Sequence, residues 1–368
     1  MKILIAPDKF KGSLSALAVA EAIAKGIKRA NPSYTCHLHP LADGGDGSVQ
    51  VLSSFLDLEE IPVQVVDPLG KPLNVSYHLY EDTAFVELAQ ASGLVLVPES
   101  DRNPLETTTY GTGLLIRNAI EKGAKKVFLF LGGSATNDGG MGIAQALEVK
   151  FLAEDGKELE PKGKNLANVH QIIPSEKFSQ ANVQLYCLCD VKNPLLGPNG
   201  ASFVYAEQKG ATPQMVNQLE MGMKNFATVV EKQIGIGIDT IEGGGAAGGI
   251  AAGLYGLFHA KIQSGIDTIL ALSKFEERLK KVDLVISGEG RFDSQTLEGK
   301  VIKGVLDLCR AHEKELVLFV GQNLLSEEVW KHEGIKEVLA ILTHAQNVEE
   351  AIQDAGRILE EMAFGYLK

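Results

Sequence analysis

The sequence predicts an α/β protein in which a parallel-sheet domain, formed by both ends of the chain, is interrupted by a second domain. Three observations support this prediction. Short apolar runs alternate with amphipathic helical patterns at the start of the chain, the pattern changes to closely spaced strands over residues 62–97, and the first pattern resumes near residue 280. Strands that alternate with helices are typical of parallel sheets with helices on their faces.

The first part of the chain contains two β–α patterns. Residues 2–6 (KILIA) form an apolar run typical of a buried strand, and the apolar spacing over about 13–29 predicts a helix that ends at Asn31. Residues 34–39 predict a second strand, and a second helix is expected from about residue 48. The last part of the chain repeats this pattern three times, with strands predicted at 282–287, 316–320 and 337–342.

Together these five strands predict a discontinuous, Rossmann- or flavodoxin-like domain of residues 1–65 and 279–368. The intervening residues 66–278 predict an inserted α+β domain with a mixed sheet. Its strands are expected within 62–97 and at 126–131 and 183–189, and its helices at about 110–122, near Gly142 and from Thr212-Pro213. We expect the active site in a cleft between the two domains.

Composition and charge exclude several functions. Over 368 residues the formal net charge is −12, which argues against nucleic acid or an anionic membrane as a partner, because both are bound by basic surfaces. The longest apolar, glycine-rich run (243–258) is shorter than the ~20 residues of a membrane helix. The four cysteines form no CxxC pair, so reduced thiols and a cytoplasmic location are expected.

Charged residues follow the predicted strands of the first domain in glycine-containing loops. Ligands of open parallel sheets bind at the carboxyl ends of the strands, where these loops converge. Carboxylates beside Lys and Arg suit metal-assisted phosphoryl transfer, because carboxylates hold Mg²⁺ and basic groups neutralise phosphoryl charge. The residues brought to this edge are Asp8, Lys9, Lys11, Asp43, Asp46, Glu289, Arg291 and Asp293.

The inserted domain contributes three further loops. LGGSATNDGG (131–140) separates a predicted strand from a predicted helix and could hold phosphate at a helix N-terminus. CDVKNPLLGPNGA (189–201) places Asp190 at a strand end, and GGGAAGG (243–249) precedes an apolar helix. Gly243, Gly245 and Gly248 fit GxGxxG, but no clear strand precedes them. No Walker A or protein-kinase motif is present.

These loops resemble, in order and across residues 6–304, the signatures of the bacterial glycerate kinase family. The signatures are PDKFKGSLSA, ADGGDG, GGSATNDGG, CDVKNPLLGPNGA, GGGAAGG and SGEGRFDSQTLEGK. The resemblance implies phosphorylation of D-glycerate by ATP with Mg²⁺. It further suggests 2-phosphoglycerate as product, because the chain is similar to the glycerate 2-kinases of glycolate, glucarate and galactarate breakdown.

On this interpretation each loop has a candidate role. Arg291 would bind the substrate carboxylate, with Glu289 and Lys11 beside it. Asp43, Asp46, Asp190 and Lys9 are the candidate catalytic residues, and Asp43, Asp46 and Asp293 the candidate metal ligands. The candidate nucleotide-binding residues are Gly132, Gly133, Ser134, Ala135, Thr136, Asp138, Gly244 and Gly245.

Each assignment has a structural alternative. Arg291 could pair with Asp293 or Glu289, the aspartates could serve turns and loop caps, and the lysines could be solvated. Alternative functions are a kinase that gives 3-phosphoglycerate or acts on another small hydroxy acid, a nicotinamide-dependent oxidoreductase, and a non-catalytic sensor. The expected partners are D-glycerate and ATP, with a homodimer as a possible assembly.

Overall fold

The computed structural model describes residues 1–368, except for the side chain of Glu298. The strands, in chain order, are β1 (Lys2–Pro7), β2 (Thr35–Leu38), β3 (Glu59–Val66), β4 (Pro72–Tyr80), β5 (Thr83–Glu87), β6 (Lys126–Phe130), β7 (Lys150–Leu152), β8 (Gln171–Ile173), β9 (Gln184–Leu188), β10 (Lys261–Gln263), β11 (Leu284–Gly288), β12 (Arg291–Phe292), β13 (Glu315–Val320), β14 (Gln322–Asn323) and β15 (Glu337–Ala340).

The α-helices are α1 (Ala16–Ala30), α2 (Ser48–Leu52), α3 (Ala89–Ser92), α4 (Tyr110–Glu121), α5 (Met141–Ala146), α6 (Glu176–Ala181), α7 (Ala201–Tyr205), α8 (Pro213–Ile234), α9 (Ala246–Phe258), α10 (Gly265–Leu272), α11 (Phe275–Leu279), α12 (Val301–Ala311), α13 (Glu327–His332), α14 (Val348–Gln353) and α15 (Ala355–Leu367). The last two helices, α14 and α15, are separated at Asp354, whose backbone is not helical.

The chain forms two compact units, which we call the outer unit and the inner unit. The outer unit comprises Met1–Asp43, Gln50–Leu56 and Ser264–Lys368, and the inner unit comprises Gly44–Val49 and Asp57–Gln263.

The outer unit contains a five-stranded, all-parallel sheet in the order β15-β13-β11-β1-β2. The apolar residues of β1 are fully buried because helices cover both faces of such a sheet. Helix α1 begins at Ser15, whose side chain accepts a hydrogen bond from the Ala18 N–H, and it lies against α15. At this contact a Cβ on Gly26 would lie 2.1 Å from the Glu360 carbonyl oxygen, so only glycine allows the close approach.

The inner unit contains a six-stranded mixed sheet in the order β10-β9-β6-β5-β4-β3. Strands β3, β4 and β5 are antiparallel, whereas β5, β6, β9 and β10 are parallel. The β3–β4 turn is held by Asp67, whose carboxylate accepts from the Leu69 and Lys71 N–H groups, and Gly70 adopts φ +84°. The predicted fold class, a parallel-sheet α/β domain with a second, mixed-sheet domain, is confirmed.

The unit boundaries differ from residues 65/66 and 278/279. Strand β3 pairs with β4 along its whole length and contributes Ile61 and Val65 to the inner core, so it belongs to the inner unit. Helix α10 belongs to the outer unit, where Ile266 lies against Gly304 of α12. Residues Gly44–Val49 join the inner unit because the Glu87 carboxylate accepts hydrogen bonds from the N–H groups of Gly47 (3.0 Å) and Val49 (3.1 Å).

Candidate active site

Three carboxylates gather at the carboxyl edge of the outer sheet. Asp8 follows β1 and donates its backbone N–H to the Gly288 carbonyl, and Glu289 follows the adjacent strand β11. Burial, reinforced by the negative charge of Asp43, raises the pKa of Asp8 to about 7. Burial also raises the pKa of Glu289 to about 7, against a hydrogen bond from Thr296. The predicted convergence of charged loops at this edge thus includes Asp43 and Glu289.

The two lysines of the first loop lie in different surroundings. Lys9 is half-buried, and its backbone N–H donates to the Asp8 carboxylate at 2.6 Å. Its positive charge opposes the rise in the pKa of Asp8. Lys11 is exposed. Of these two lysines, Lys9 is therefore the one that acts electrostatically on Asp8.

Arg291 and Asp293 line an open cavity in the outer unit. The Arg291 Nε lies 3.0 Å from Asp293 Oδ2, and 66% of the arginine side chain is exposed. The Asp293 carboxylate also accepts from the N–H groups of Gln295 and Thr296, so most of its bonding capacity is used within the loop. The cavity measures about 620 Å³ and is lined by Arg291, Asp293, Ser294, Gln295, Lys300, Leu324 and Leu325.

The loop between β6 and α5, residues 132–138, is largely buried in the inner unit. The Asp138 carboxylate accepts four hydrogen bonds, from the Thr109 N–H and hydroxyl (2.8 Å each) and from the N–H groups of Gly140 and Gly142. It therefore fixes the backbone of the loop at the start of α5. The Ala135 N–H and carbonyl are also bonded, to the Ser92 carbonyl and the Thr107 hydroxyl.

Two other polar side chains of the same loop form no hydrogen bonds. Thr136 Oγ1 and both amide atoms of Asn137 are buried without a hydrogen-bond partner. Ser134 is 8% exposed, and Gly133 at φ +70° is exposed. Gly132 faces the segment Gly44–Val49, because a Cβ on Gly132 would lie 2.8 Å from the Gly45 Cα and 3.0 Å from the Asp46 nitrogen.

The glycine-rich segment 243–249 brings the remaining inner loops together. A Cβ on Gly248 would lie 2.1 Å from the Thr136 carbonyl oxygen, and the Gly248 carbonyl accepts from the Gly139 N–H. On the other side, the Gly245 N–H donates to the Asn193 carbonyl at 2.9 Å. The segment 243–249 thus contacts the 132–138 loop on one side and the loop that carries Asp190 on the other.

The segment lacks the context of a dinucleotide-binding fingerprint. That fingerprint requires a strand directly before the first glycine. In this chain the preceding element is helix α8, and Ala247, Gly248 and Gly249 adopt positive φ where a regular helix would begin.

The two aspartates of the ADGGDG loop belong to different units. Asp43 is half-buried in the outer unit, whereas Asp46 is exposed in the inner unit. Within the residues that the structure describes, no three Asp, Glu, His or Cys side chains form a ligand set for a metal ion. The carboxylates of Asp8, Asp43 and Glu289 nevertheless fit a divalent cation in their chemistry, because they are hard oxygen donors whose mutual repulsion a cation would relieve.

Cysteine and histidine chemistry is not supported. All four cysteines are free, and burial raises the pKa of Cys189 and Cys309 to about 12, so these thiols stay protonated at neutral pH. Burial lowers the pKa of His39 to about 3, and its Nε2 lies 2.9 Å from the Ser273 hydroxyl. His39 is therefore a neutral core side chain.

No helix in the described part of the chain has the length and apolar character needed to span a bilayer.

Comparison with known proteins decides the family. A model described as the glycerate kinase family matches residues 3–366. The chain belongs to the glycerate kinase family. It is 40% identical over 366 residues to a glycerate kinase of Halalkalibacterium halodurans, covering 98% of this chain and 96% of the relative. It is 39% identical over 358 residues to the glycerate 2-kinase of Escherichia coli K12, covering 96% and 94%.

The fold agrees with this family. A crystal structure of a Salmonella typhimurium LT2 protein assigned as glycerate kinase 2 superposes with a TM-score of 0.86 and is 37% identical. The match covers 100% of this chain and 97% of that one. The resemblance drawn from the loop motifs is confirmed, and the protein is an enzyme of the glycerate kinase family.

The sequence analysis assigns no role to several residues of the site. Asp8 was grouped with the loop residues by its place after β1, but it is the raised pKa, which depends on burial, that distinguishes it. Lys300 is the final residue of the SGEGRFDSQTLEGK signature, yet only the cavity shows that it lies with Arg291. Asn137 lies within the GGSATNDGG signature but has no predicted role, and nothing in the local sequence distinguishes Glu87 or Lys209 from surface residues.

Proposed function

We propose that this protein transfers the γ-phosphoryl group of ATP to the 2-hydroxyl of D-glycerate, giving 2-phosphoglycerate and ADP. The observation that carries the proposal is the group of carboxylates Asp8, Asp43 and Glu289 at the carboxyl edge of the parallel sheet, beside Lys9. A small hydroxy acid and a metal-bound triphosphate both require such a site. Membership of the glycerate kinase family supports the same reaction.

Arg291 is proposed to bind the substrate carboxylate. Its guanidinium is largely exposed and lines the 620 Å³ cavity together with Lys300, so an anion reaches two positive charges there. Glycerate would share or replace the contact with Asp293, since a guanidinium can bind a carboxylate through two parallel hydrogen bonds. Glu289 and Lys11 are proposed to contact the hydroxyls from the neighbouring loops.

The inner unit is proposed to hold the nucleotide phosphates. The loop of Gly132, Gly133, Ser134, Ala135, Thr136 and Asp138 contacts Gly248, which lies in the same 243–249 segment as Gly244 and Gly245, and the loop backbone is fixed by Asp138. Glycine lets a phosphate approach the backbone N–H groups closely. Ser134 and Thr136 would supply hydroxyl donors, whereas Asp138 would act through the loop, because four donors already use its carboxylate.

Mg²⁺ is proposed as the cofactor, with Asp43, Asp46 and Asp293 as its ligands. When bound, it would neutralise negative charge on the phosphates. Asp43 fits this role best, because it raises the pKa of both neighbouring carboxylates. Asp293 fits less well, since it already bonds Arg291 and two N–H groups.

The reaction needs one base and no covalent intermediate. A bond forms between the 2-oxygen of glycerate and the γ-phosphorus, the bond from that phosphorus to the β,γ-bridging oxygen breaks, and the hydroxyl proton passes to a carboxylate. Asp43, Asp46 and Asp190 are the candidate bases, and Lys9 would stabilise charge on the transferred group.

We place the reaction in the cytoplasm, where ATP is available, and we retain the cleft between the two domains and the homodimer as predictions.

The test is ADP release by the purified protein with MgATP, with and without D-glycerate, and NMR of the product to locate the phosphate. We expect glycerate-dependent ADP release with phosphate on the 2-oxygen. Phosphate on the 3-oxygen would overturn the 2-kinase assignment. ADP release that depends on another hydroxy acid, such as tartronate, but not on glycerate would overturn the substrate. Scattering profiles and sedimentation with and without both ligands test domain closure and the homodimer.

A further inference from the structure

The loop proposed to bind phosphate, residues 132–138, has no cationic side chain of its own. Its one ionisable residue is Asp138, which is fully buried and accepts four hydrogen bonds. Burial raises the pKa of Asp138, and the bonds from Thr109 oppose that rise. A site for a polyphosphate requires positive potential, so the loop needs a cation from another segment.

Lys209 reaches this loop from a short 3₁₀ turn at Glu207–Lys209. Its side chain is 2% exposed, and its Nζ donates to the Thr136 carbonyl at 2.7 Å. The turn ends at Gly210, which adopts φ +93°, and a Cβ there would lie 2.3 Å from the Arg102 carbonyl oxygen. The backbone that carries Lys209 is therefore held in one conformation.

The charge of Lys209 is incompletely compensated. An ammonium group has three donors, and a buried charge is normally paired. Among the described residues no carboxylate forms an ion pair with Lys209, and its bond goes to a neutral carbonyl. Burial lowers the pKa of Lys209 to about 7, and the charge of Asp138 opposes this effect. A bound phosphate would favour the charged ammonium form in the same way, because a nearby opposite charge raises the pKa of a lysine.

The same loop presents buried polar groups without partners. Thr136 Oγ1 and the Asn137 amide oxygen and nitrogen have no hydrogen bond, although both side chains are 0% exposed. Leaving such groups unpaired in the core is costly, so they are rare unless they serve a ligand or bound water. These groups belong to Thr136, whose carbonyl accepts the hydrogen bond from Lys209, and to the following residue, Asn137.

We propose that Lys209 is a positioning residue of the nucleotide site: it holds the Thr136 carbonyl from within the core and supplies the positive charge that the 132–138 loop needs to bind a polyphosphate. This inference rests on the proposed function, in which that loop binds the phosphates of ATP. Lys209 does not touch the reacting atoms and acts through the loop.

The experiment measures the affinities of wild type, Lys209→Met and Lys209→Gln for ATP, ADP and AMP by competition with a fluorescent nucleotide. Met removes both charge and hydrogen bond, whereas Gln retains a donor for the Thr136 carbonyl and removes the charge. We expect losses that grow with the number of phosphates, about tenfold or more for ATP and within about twofold for AMP, for both variants. Equal loss for all three nucleotides would show a merely structural role.

Lys164→Met is the matched control. Lys164 lies in the same unit, but it is partly exposed and pairs with Glu106 at 2.8 Å, so its loss should leave nucleotide affinity unchanged. If Lys209→Met does not fold, Lys209→Gln decides, and wild-type ATP affinity in that variant would overturn the inference.

Ser134→Asp separates this inference from the proposed function. A new carboxylate in the loop should weaken ATP binding if phosphates bind there. If Ser134→Asp weakens ATP binding while Lys209→Gln does not, only the role of Lys209 is overturned. If neither variant changes ATP affinity, the placement of the nucleotide and the role of Lys209 are both overturned.

Discussion

Replacement of Gly248 by alanine tests the contact between the two glycine-rich segments of the inner unit. The added Cβ would lie 2.1 Å from the Thr136 carbonyl oxygen and 2.8 Å from the Asn137 Cα. Both are backbone atoms, so no side chain can rotate away to relieve the overlap. Gly248 also adopts φ +73°, which a non-glycine residue takes at a cost of about 1–2 kcal/mol. Overpacking of a buried site costs about 1–3 kcal/mol more.

The expected loss of stability for Gly248→Ala is therefore about 2–5 kcal/mol. Gly156→Ala separates the two contributions, because Gly156 has φ +78° but no atom within 4 Å of its Cβ position. That control should cost only the backbone strain, about 1–2 kcal/mol. Thermal melting of both variants measures the difference, at roughly 2–4 °C per kcal/mol for a unit of this size.

ATP affinity provides the functional measurement. Because the added methyl group displaces Thr136 and Asn137, Gly248→Ala should weaken ATP binding at temperatures where the variant is folded, whereas Gly156→Ala should not. Equal melting temperatures for the two variants would refute the steric argument. A folded Gly248→Ala protein with wild-type ATP affinity would refute the view that this contact supports the nucleotide site.

Three further predictions concern the outer unit. Asp8→Asn should stabilise the protein relative to wild type above pH 7 but not below pH 4. The folded-state pKa of Asp8 is about 7, so the wild-type protein loses stability as pH rises from 4 to 7, where the unfolded carboxyl ionises and the folded one keeps its proton. Urea titrations of both proteins across this pH range measure the difference, and a difference independent of pH would contradict the prediction. Arg291→Lys should raise KM for glycerate about tenfold because the planar fork is lost, while the exposed Arg357→Lys should leave KM unchanged in the same steady-state assay. The pKa of His39 is lowered to about 3 in the folded protein, so between pH 6.5 and 3 only the unfolded state binds a proton at this side chain. The free energy of unfolding should therefore fall by up to about 1.4 kcal/mol for each pH unit below 6.5. Urea titrations of a His39→Phe variant test this, and the same pH dependence as in wild type would exclude His39 as its cause.

The sequence was most informative where a single physical requirement determines the pattern. The run KILIA is typical of a strand buried on both faces, and the runs before Glu289 and in β13 repeat it, which is why the sequence predicts the parallel sheet. The convergence of Asp43 and Glu289 followed from the rule that strand ends meet at one edge.

The sequence was less informative where tertiary contacts decide. Strand β3 alternates buried and exposed residues in a way that fits either unit, and only its pairing with β4 assigns it to the inner one. Lys209 occurs in a polar stretch that resembles a solvated surface, and its burial depends on how the turn before Gly210 meets Arg102. Such residues cannot be recognised from local periodicity.

The anchoring of Gly44–Val49 by Glu87 has a consequence for protein engineering. The peptide chain passes from one unit to the other not only near residues 57 and 263 but also on either side of this six-residue segment. A shortened protein in which residues 57–263 are replaced by a brief linker would therefore lose the acceptor for the Gly47 and Val49 N–H groups. The segment after Asp43 would have to find a new conformation, so the outer unit cannot be isolated by a single excision without redesigning its second strand–helix connection.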